Sequence, residues 1–341
     1  MTTAIRVLLI VSMVQCTAMR DSSVDDTIRI GIVSTVFGYG PVFVAKEKSF
    51  FKREGLTPEI VVISRTENIV QALLSDSLQF GDVPPNLLLT MRQQGFSDVK
   101  LILGSFNGTT YSLIALPKYK TIEDLKGANL GISSLTSAST LMLKQLLKEH
   151  GLLYPRDYSL LTIGGSAPLF QAVQTGQIDG ALIAQPLSLI AIEQGFSNLV
   201  DAYKVMPEYQ LTGTGVREGW AQRNRGLVVR YLKAMLSSYQ WLHDNGDEAI
   251  KLLGQITKLD RKYIPSAWEV YTKTQIWPRN GEVSIKGVQT LLNLMAEEGT
   301  LKKPPPKAED IDLQDVLEVR QLVRLRRSAV QAAISSLERK L

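Results

Sequence analysis

The stretch QAVQTGQIDGALIAQPLSLIAIEQGFS, Gln171 to Ser197, decides the fold because the chain writes it twice. A hundred residues earlier it reads QALLSDSLQFGDVPPNLLLTMRQQGFS, Gln71 to Ser97. Each copy predicts helix, strand, proline, helix. In the later copy Gln171 to Thr175 closes an apolar-faced helix and Gly176 stops it. Ile178 to Ile183 is then a continuous apolar run of the kind that forms a strand buried on both faces. Pro186 opens a helix that ends at Gly195. In the earlier copy Ser75-Asp76-Ser77 supplies the turn, Leu78 to Val83 the strand, and Pro84-Pro85 the start of the next helix. Two such blocks predict two similar α/β lobes facing each other, with a ligand enclosed between them.

A chain of 341 residues, 45% hydrophobic and 21% charged, has an ordinary globular composition and is long enough for two separate cores. Its formal charge of +5 is diffuse, part of it sitting at Arg320, Arg324, Arg326, Arg327, Arg339 and Lys340. No aromatic-plus-basic stripe accompanies it, which argues against a nucleic-acid partner. At the N-terminus Arg6, the apolar run Val7 to Val14 and the small-x-small triplet Cys16-Thr17-Ala18 predict an export signal over residues 1–18. The apolar run is too short to span a bilayer. Cys16 is the only cysteine, so lipid anchoring through its thiol is the alternative to cleavage before Met19. Gln15, bulkier than the residue that usually precedes a lipidated cysteine, favours cleavage.

Along the rest of the chain strands alternate with helices. Strands are predicted at Thr27 to Ser34 and Glu59 to Ser64, with a helix started by Pro41 between them. Apolar segments follow the first repeat at Lys100 to Gly104 and Tyr111 to Leu116. Pro117 marks a break, after which Asn129 to Ser133 begins a second sheet, followed by a helix from Ala138 to His150 and a strand at Ser159 to Ile163. After Trp220 the pattern is helical throughout, and Val316 to Leu341 reads as a charged terminal helix. This alternation predicts mostly parallel sheets flanked by helices.

The chain resembles the ABC-transporter solute-binding proteins of the type II periplasmic-binding fold, in the group that includes sulfonate, nitrate, taurine and thiamine-pyrimidine-precursor binders. Gly31-Ile32 before Gly40-Pro41, Glu47 to Gly55, Gln71 to Pro85, Thr121 to Gly131 and Gln171 to Pro186 carry the resemblance, which covers roughly residues 27–299. It implies a discontinuous first lobe, 27–116 and 206–300, a second lobe, 117–205, and a linker and terminal helix, 301–341. It also implies a monomer in the periplasm that captures a small polar or anionic organic solute and delivers it to a membrane permease.

In open α/β sheets ligands lie beyond the carboxyl ends of the strands, where helix N-termini offer unpaired N–H groups. In the first lobe that rule selects Ser34, Thr35, Phe37, Tyr39, Arg65, Thr66, Asp82, Ser105, Phe106 and Asn107. In the second it selects Ser134, Thr136, Ser137, Ser139, Gly165, Ser166 and Gln185. The Ser/Thr-rich opening of the helix at Ala138 suits an oxyanion, although the same residues serve equally as an ordinary N-cap. Asp82 suits an amine or ring N–H, or else a local turn. Phe37, Tyr39 and Phe106 suit a planar ligand or the core.

Catalysis has little to work with. His150 and His243 each fall near a helix end without a second ligand at metal spacing, and no nucleophile elbow or glycine-rich phosphate loop is present. Gly213-Thr214-Gly215 lacks the third glycine, with Glu218 in its place. The pyrimidine-precursor synthase that shares the fold uses a histidine and a cysteine-rich motif, neither of which stands at the matching loops. No cofactor or metal is expected. A ligand-sensing module working through the tail is the remaining alternative.

Overall fold

The computed structural model describes residues 26–312 except Ser97, Lys302 and Lys303. The signal segment, Cys16 and the terminal helix lie outside the described residues. In chain order the elements begin with β1 (Asp26–Ile32), α1 (Gly40–Glu47), α2 (Phe50–Arg53), β2 (Leu56–Val62), α3 (Thr66–Leu74), β3 (Phe80–Val83), α4 (Pro85–Gln93) and β4 (Val99–Phe106). Then come β5 (Tyr111–Ala115), β6 (Asn129–Ile132), α5 (Ala138–Glu149), β7 (Ser159–Thr162), α6 (Ser166–Gln174), β8 (Gly180–Ala184), α7 (Leu187–Glu193), β9 (Ser197–Asp201) and α8 (Ala202–Val205). The last are β10 (Thr212–Arg217), α9 (Glu218–Arg223), α10 (Arg225–Asp244), α11 (Gly246–Thr257), α12 (Ile264–Lys273) and α13 (Ile285–Glu297).

Two five-stranded sheets result, ordered β2-β1-β3-β10-β4 and β7-β6-β8-β5-β9. They have one topology. β1 pairs in parallel with β2 and β3, and β6 with β7 and β8. The fourth strand of each sheet, β10 or β5, runs antiparallel to both of its neighbours. Each of these reversed strands enters just after the chain has crossed from the other sheet, which explains their direction.

The sequence reading placed Tyr111 to Leu116 in the first lobe and the crossing at Pro117. The structure corrects this: β5 belongs to the second sheet, so the chain crosses at residues 107–110 and returns between Asp201 and Thr212. An apolar strand looks the same in sequence whichever sheet buries it. β10 had no strand signal, because two glycines interrupt Thr212-Gly213-Thr214-Gly215. Its crowded central position accounts for both glycines. A Cβ on Gly215 would lie 2.6 Å from Val83 Cγ2, and one on Gly213 would lie 3.0 Å from the Leu103 carbonyl oxygen.

Among the described residues apolar side chains form three clusters. One lies between the first sheet and α1, α10 and α12, around Phe80, Tyr231, Leu236 and Trp277. A second starts on the other face of that sheet and continues through α13 into the second sheet around Leu130, Met142 and Leu147. The third lies under α6 and α7, around Phe170 and Ile183. Among the described residues no helix is long and apolar enough to cross a membrane.

Candidate functional site

β3 carries Asp82 as its penultimate residue and is buried along its whole length, and Pro84-Pro85 turns the chain into α4 immediately afterwards. The Asp82 side chain is therefore carried inside, and the residue is 5% exposed. The Tyr39 hydroxyl donates to its Oδ2 at 2.8 Å, and the Thr212 hydroxyl donates to its Oδ1 at 2.8 Å. Ser105, which also bonds this carboxylate, lies 3.2 Å from the Thr214 hydroxyl. Burial pushes the Asp82 carboxyl up to about 6, against the opposing pull of the hydroxyls of Thr212, Tyr39 and Ser105. A cavity of about 30 Å³ adjoins it, lined among others by Ser105, Thr214, Tyr231 and Tyr239. That is room for one or two water molecules.

Asp82 also lies beside the seam between the lobes. Thr212 opens the return strand, and Tyr111 opens the outgoing one. The Asp82 charge, second to burial, helps push the Tyr111 hydroxyl up to about 12. Gln210, fully buried, ties the two crossings together by donating to the carbonyls of Phe106 and Thr212 at 3.2 and 2.6 Å. Its own carbonyl accepts from the Ser284 N–H at 2.7 Å.

The lobes touch directly through Asn86, whose side-chain amide donates to the Thr136 carbonyl at 2.6 Å, and the return crossing touches lobe 2 through Tyr209, whose hydroxyl donates to the Ala138 carbonyl at 2.6 Å. Thr136 and Ala138 belong to the serine-rich opening of α5. There Ser133 donates to the Ser137 hydroxyl at 2.9 Å, and Ser139 lies 3.1 Å from Ser137. Ser137 is the N-cap, accepting from the Thr140 N–H at 3.2 Å and donating to the Ser134 carbonyl at 3.0 Å. Ser134 and Thr136 flank it, their hydroxyls 3.5 Å apart.

The structure thus brings Tyr39, Asp82, Ser105 and Phe106 together, with Tyr39 and Phe106 in edge-to-face contact at 5.4 Å. Phe37 is in the core, 5.3 Å from Tyr271 and 5.6 Å from Trp277. Asn107 donates to the Glu282 carbonyl at 2.6 Å. Gln185 is buried, and its N–H bonds the Thr110 carbonyl in the outgoing crossing. Ser166 accepts from the Ala184 N–H at 3.2 Å, and Gly165 is the exposed N-cap of α6. Ser34 is half-buried and Thr35 exposed in the loop after β1. Arg65 caps α3 with a side chain 73% exposed, 3.9 Å from Glu67, and Thr66 begins the helix behind it. Thr212 and Thr214 were missed. Their alternation on one face of a strand was the available signal, hidden by the glycines between them.

Neither histidine gathers catalytic partners. His150 Nδ1 lies 2.6 Å from Glu123 on the surface, and His243 bonds the Trp277 carbonyl at 2.8 Å. Burial lowers the His243 pKa from its ordinary value. Among the described residues no group of three histidine, cysteine or acidic side chains stands close enough to hold a metal.

Residues 37–249 match the family described as NMT1/THI5 like. The chain belongs to that family. Over 247 residues it is 28% identical to the bicarbonate transport ATP-binding protein CmpC of Synechococcus elongatus, an alignment covering 66% of this chain and 36% of that protein. The chain therefore spans about a third of the length of that relative. Its fold is that of the periplasmic nitrate-binding protein NrtA from Synechocystis PCC 6803, with TM-score 0.73 at 15% identity over 87% of this chain and 88% of that one. It is equally that of the alkanesulfonate-binding protein SsuA from Xanthomonas axonopodis pv. citri bound to MOPS, with TM-score 0.65 at 17% identity over 84% and 96%. These structural neighbours are binding proteins.

Proposed function

We propose that the chain is the extracytoplasmic solute-binding component of an ABC importer. It captures a small polar solute between lobe 1, residues 26–106 with 212–300, and lobe 2, residues 111–201, and presents the closed form to a membrane permease. One observation supports this above the others: two lobes of identical topology are joined by two crossings and meet through the Asn86–Thr136 bond. Such a body closes by hinge motion, and a solute touching both lobes binds the closed state more tightly and shifts the population toward it. The names of the structural neighbours point the same way. Tyr39, Asp82 and Ser105 from lobe 1, and the α5 opening with Gln185 from lobe 2, are the proposed contacts.

The test is denaturing extraction of the purified protein followed by mass spectrometry of the small molecules released, with the recovered compound then added back in a thermal melt. A solute at about a hundred times its dissociation constant stabilises by roughly 2.7 kcal/mol, which raises Tm by several degrees. Protein that carries no solute and whose melting is moved by none of a broad panel of small polar compounds does not have this function.

A further inference from the structure

Resting on that reading, we infer that the solute carries a cationic nitrogen, an ammonium or amidinium group, and that Asp82 is its charged partner. The seam offers acceptors. Asp82 is a buried carboxylate bonded by three hydroxyls, with no cation among its bonding partners, and on the lobe 1 side it adjoins a cavity, lined by lobe 1 residues alone, with room for an ammonium head group. Asn86 spans the seam. Its amide nitrogen is committed to the Thr136 carbonyl, which fixes the orientation of the amide and leaves Oδ1 buried without a protein partner. On the other lobe Gln185 Oε1 is also buried and unpartnered. Buried acceptors left open on both sides of a cleft are completed by a donor.

The complement for an oxyanion is missing. Among the loops at the carboxyl ends of the parallel strands, residues 33–39, 63–67, 84–86, 105–110, 133–139, 163–166, 185–186 and 202–205, two residues are basic: Lys204, 66% exposed and paired with Asp201 at 2.8 Å, and Arg65. The Arg65 side chain is largely in solvent and beside Glu67. The hydroxyls of Ser133 and Ser137 in the α5 opening are already bonded to one another and to backbone. An anion placed at the seam meets the Asp82 charge with no buried cation to offset it. The other titratable groups that feel Asp82 are Tyr39, Tyr111, Tyr231 and Tyr239. Burial raises all four, so they stay neutral while Asp82 titrates.

The experiment titrates the purified chain with ethanolamine, putrescine and acetamidine in one arm and with ethanesulfonate, methanesulfonate and nitrate in the other, at pH 7.5 and pH 5. At least one amine or amidine binds at pH 7.5 and binds about tenfold more weakly at pH 5, where Asp82 is mostly protonated. Asp82→Asn weakens the same compound about tenfold or more at pH 7.5. Because that variant removes a buried charge and is open to misfolding, the wild-type pH dependence stands as an independent reading. Binding of a sulfonate or nitrate that is undiminished at pH 5 overturns the inference and leaves the binding function intact. Failure of every amine and amidine also overturns it. A solute recovered from the protein by mass spectrometry separates the two readings, since a sulfonate there refutes only the cation and an empty protein inert to both arms refutes both.

Discussion

Gly31 and Gly131 are the same residue of the duplicated lobe. Gly31 pairs with Gly81 across β1 and β3, and Gly131 pairs with Ala181 across β6 and β8, so register repeats at an offset of one hundred. Their surroundings repeat as well. A Cβ on Gly31 would meet Leu78 Cδ1 at 2.5 Å, and one on Gly131 would meet Ile178 Cδ1 at 2.3 Å, with Ile69 and Leu169 behind them. The glycines let a helix-to-strand turn close tightly over the sheet. That turn uses left-handed backbone at Gly176, φ 70°, and at its counterpart Asp76, φ 58°, whose carboxylate is held by Arg217 at 2.7 and 2.5 Å.

Gly131→Ala is the costlier of the two matched substitutions. Its Cβ has two side-chain atoms within 3.0 Å, Ile178 Cδ1 and Leu169 Cδ2 at 2.6 Å, whereas Gly31 has one. Overpacking of this kind costs about 1–3 kcal/mol. Urea midpoints of the two variants check the ranking, and adding Leu78→Val to Gly31→Ala should recover part of the loss by removing the obstructing methyl.

Gly287→Ala should destabilise through the hinge. In α13 this position faces the return crossing so closely that a Cβ would lie 2.4 Å from the Gln210 nitrogen and 2.7 Å from the Tyr209 carbonyl carbon. Backbone cannot rotate aside as a side-chain methyl does. The expected loss is about 2 kcal/mol or more, with faster amide exchange around residues 209–212, where Gln210 holds the two crossings together. Exchange that accelerates only within α13 argues against this coupling.

Ser137 and Ser139 separate structure from binding at the α5 opening. Ser137 caps the helix, so Ser137→Ala costs about 0.5–2 kcal/mol whether or not it touches solute. The Ser139 hydroxyl bonds the hydroxyls of Ser133 and Ser137, at 3.3 and 3.1 Å, and not backbone, so Ser139→Ala leaves Tm within about a degree. If the loop contacts solute, calorimetric titration of Ser139→Ala with the recovered compound shows weaker affinity at unchanged stability. Unchanged affinity in that variant removes Ser139 from the site.

The duplicated lobes were legible because helix stops, buried apolar runs and strand-to-helix prolines are local signals, and the hundred-residue repeat doubled each of them. The crossings were not. β5 carries the same apolar pattern as its neighbours, and only pairing tells which sheet it joins. β10 was hidden because close packing against Val83 and Leu103 demands glycine, which weakens strand propensity. Asp82 stood out as a polar residue at the end of an apolar run, but the hydroxyls that hold it come from residues 39, 105 and 212, and nothing in the chain announces that convergence. Phe37 shows the converse: position in a cleft loop does not distinguish a ring in the core from one facing solute.

Asp82 should make the protein less stable as pH rises through a defined window. Its carboxyl has an ordinary value of 3.8 and is raised by burial to about 6, so between these values the folded state binds the proton that the unfolded state has released. Stability from this group is therefore fully present well below pH 4, falls as pH rises to about 6, and stays at the lower level above. The shift corresponds to about 3 kcal/mol. Asp76, Asp157 and Asp310, whose values are lowered by partners such as Arg217 and Arg156, act in the opposite direction at lower pH. The wild-type curve alone mixes these effects. The informative quantity is the difference between Asp82→Asn and wild type, measured by urea unfolding at pH 4 and pH 7. That difference should move in favour of the variant by about 2 kcal/mol between the two, because asparagine carries no charge to bury and part of the full effect lies below pH 4. A difference that stays constant over this range means that Asp82 is ionised in the folded protein at its ordinary value, with its hydroxyl partners fully offsetting burial.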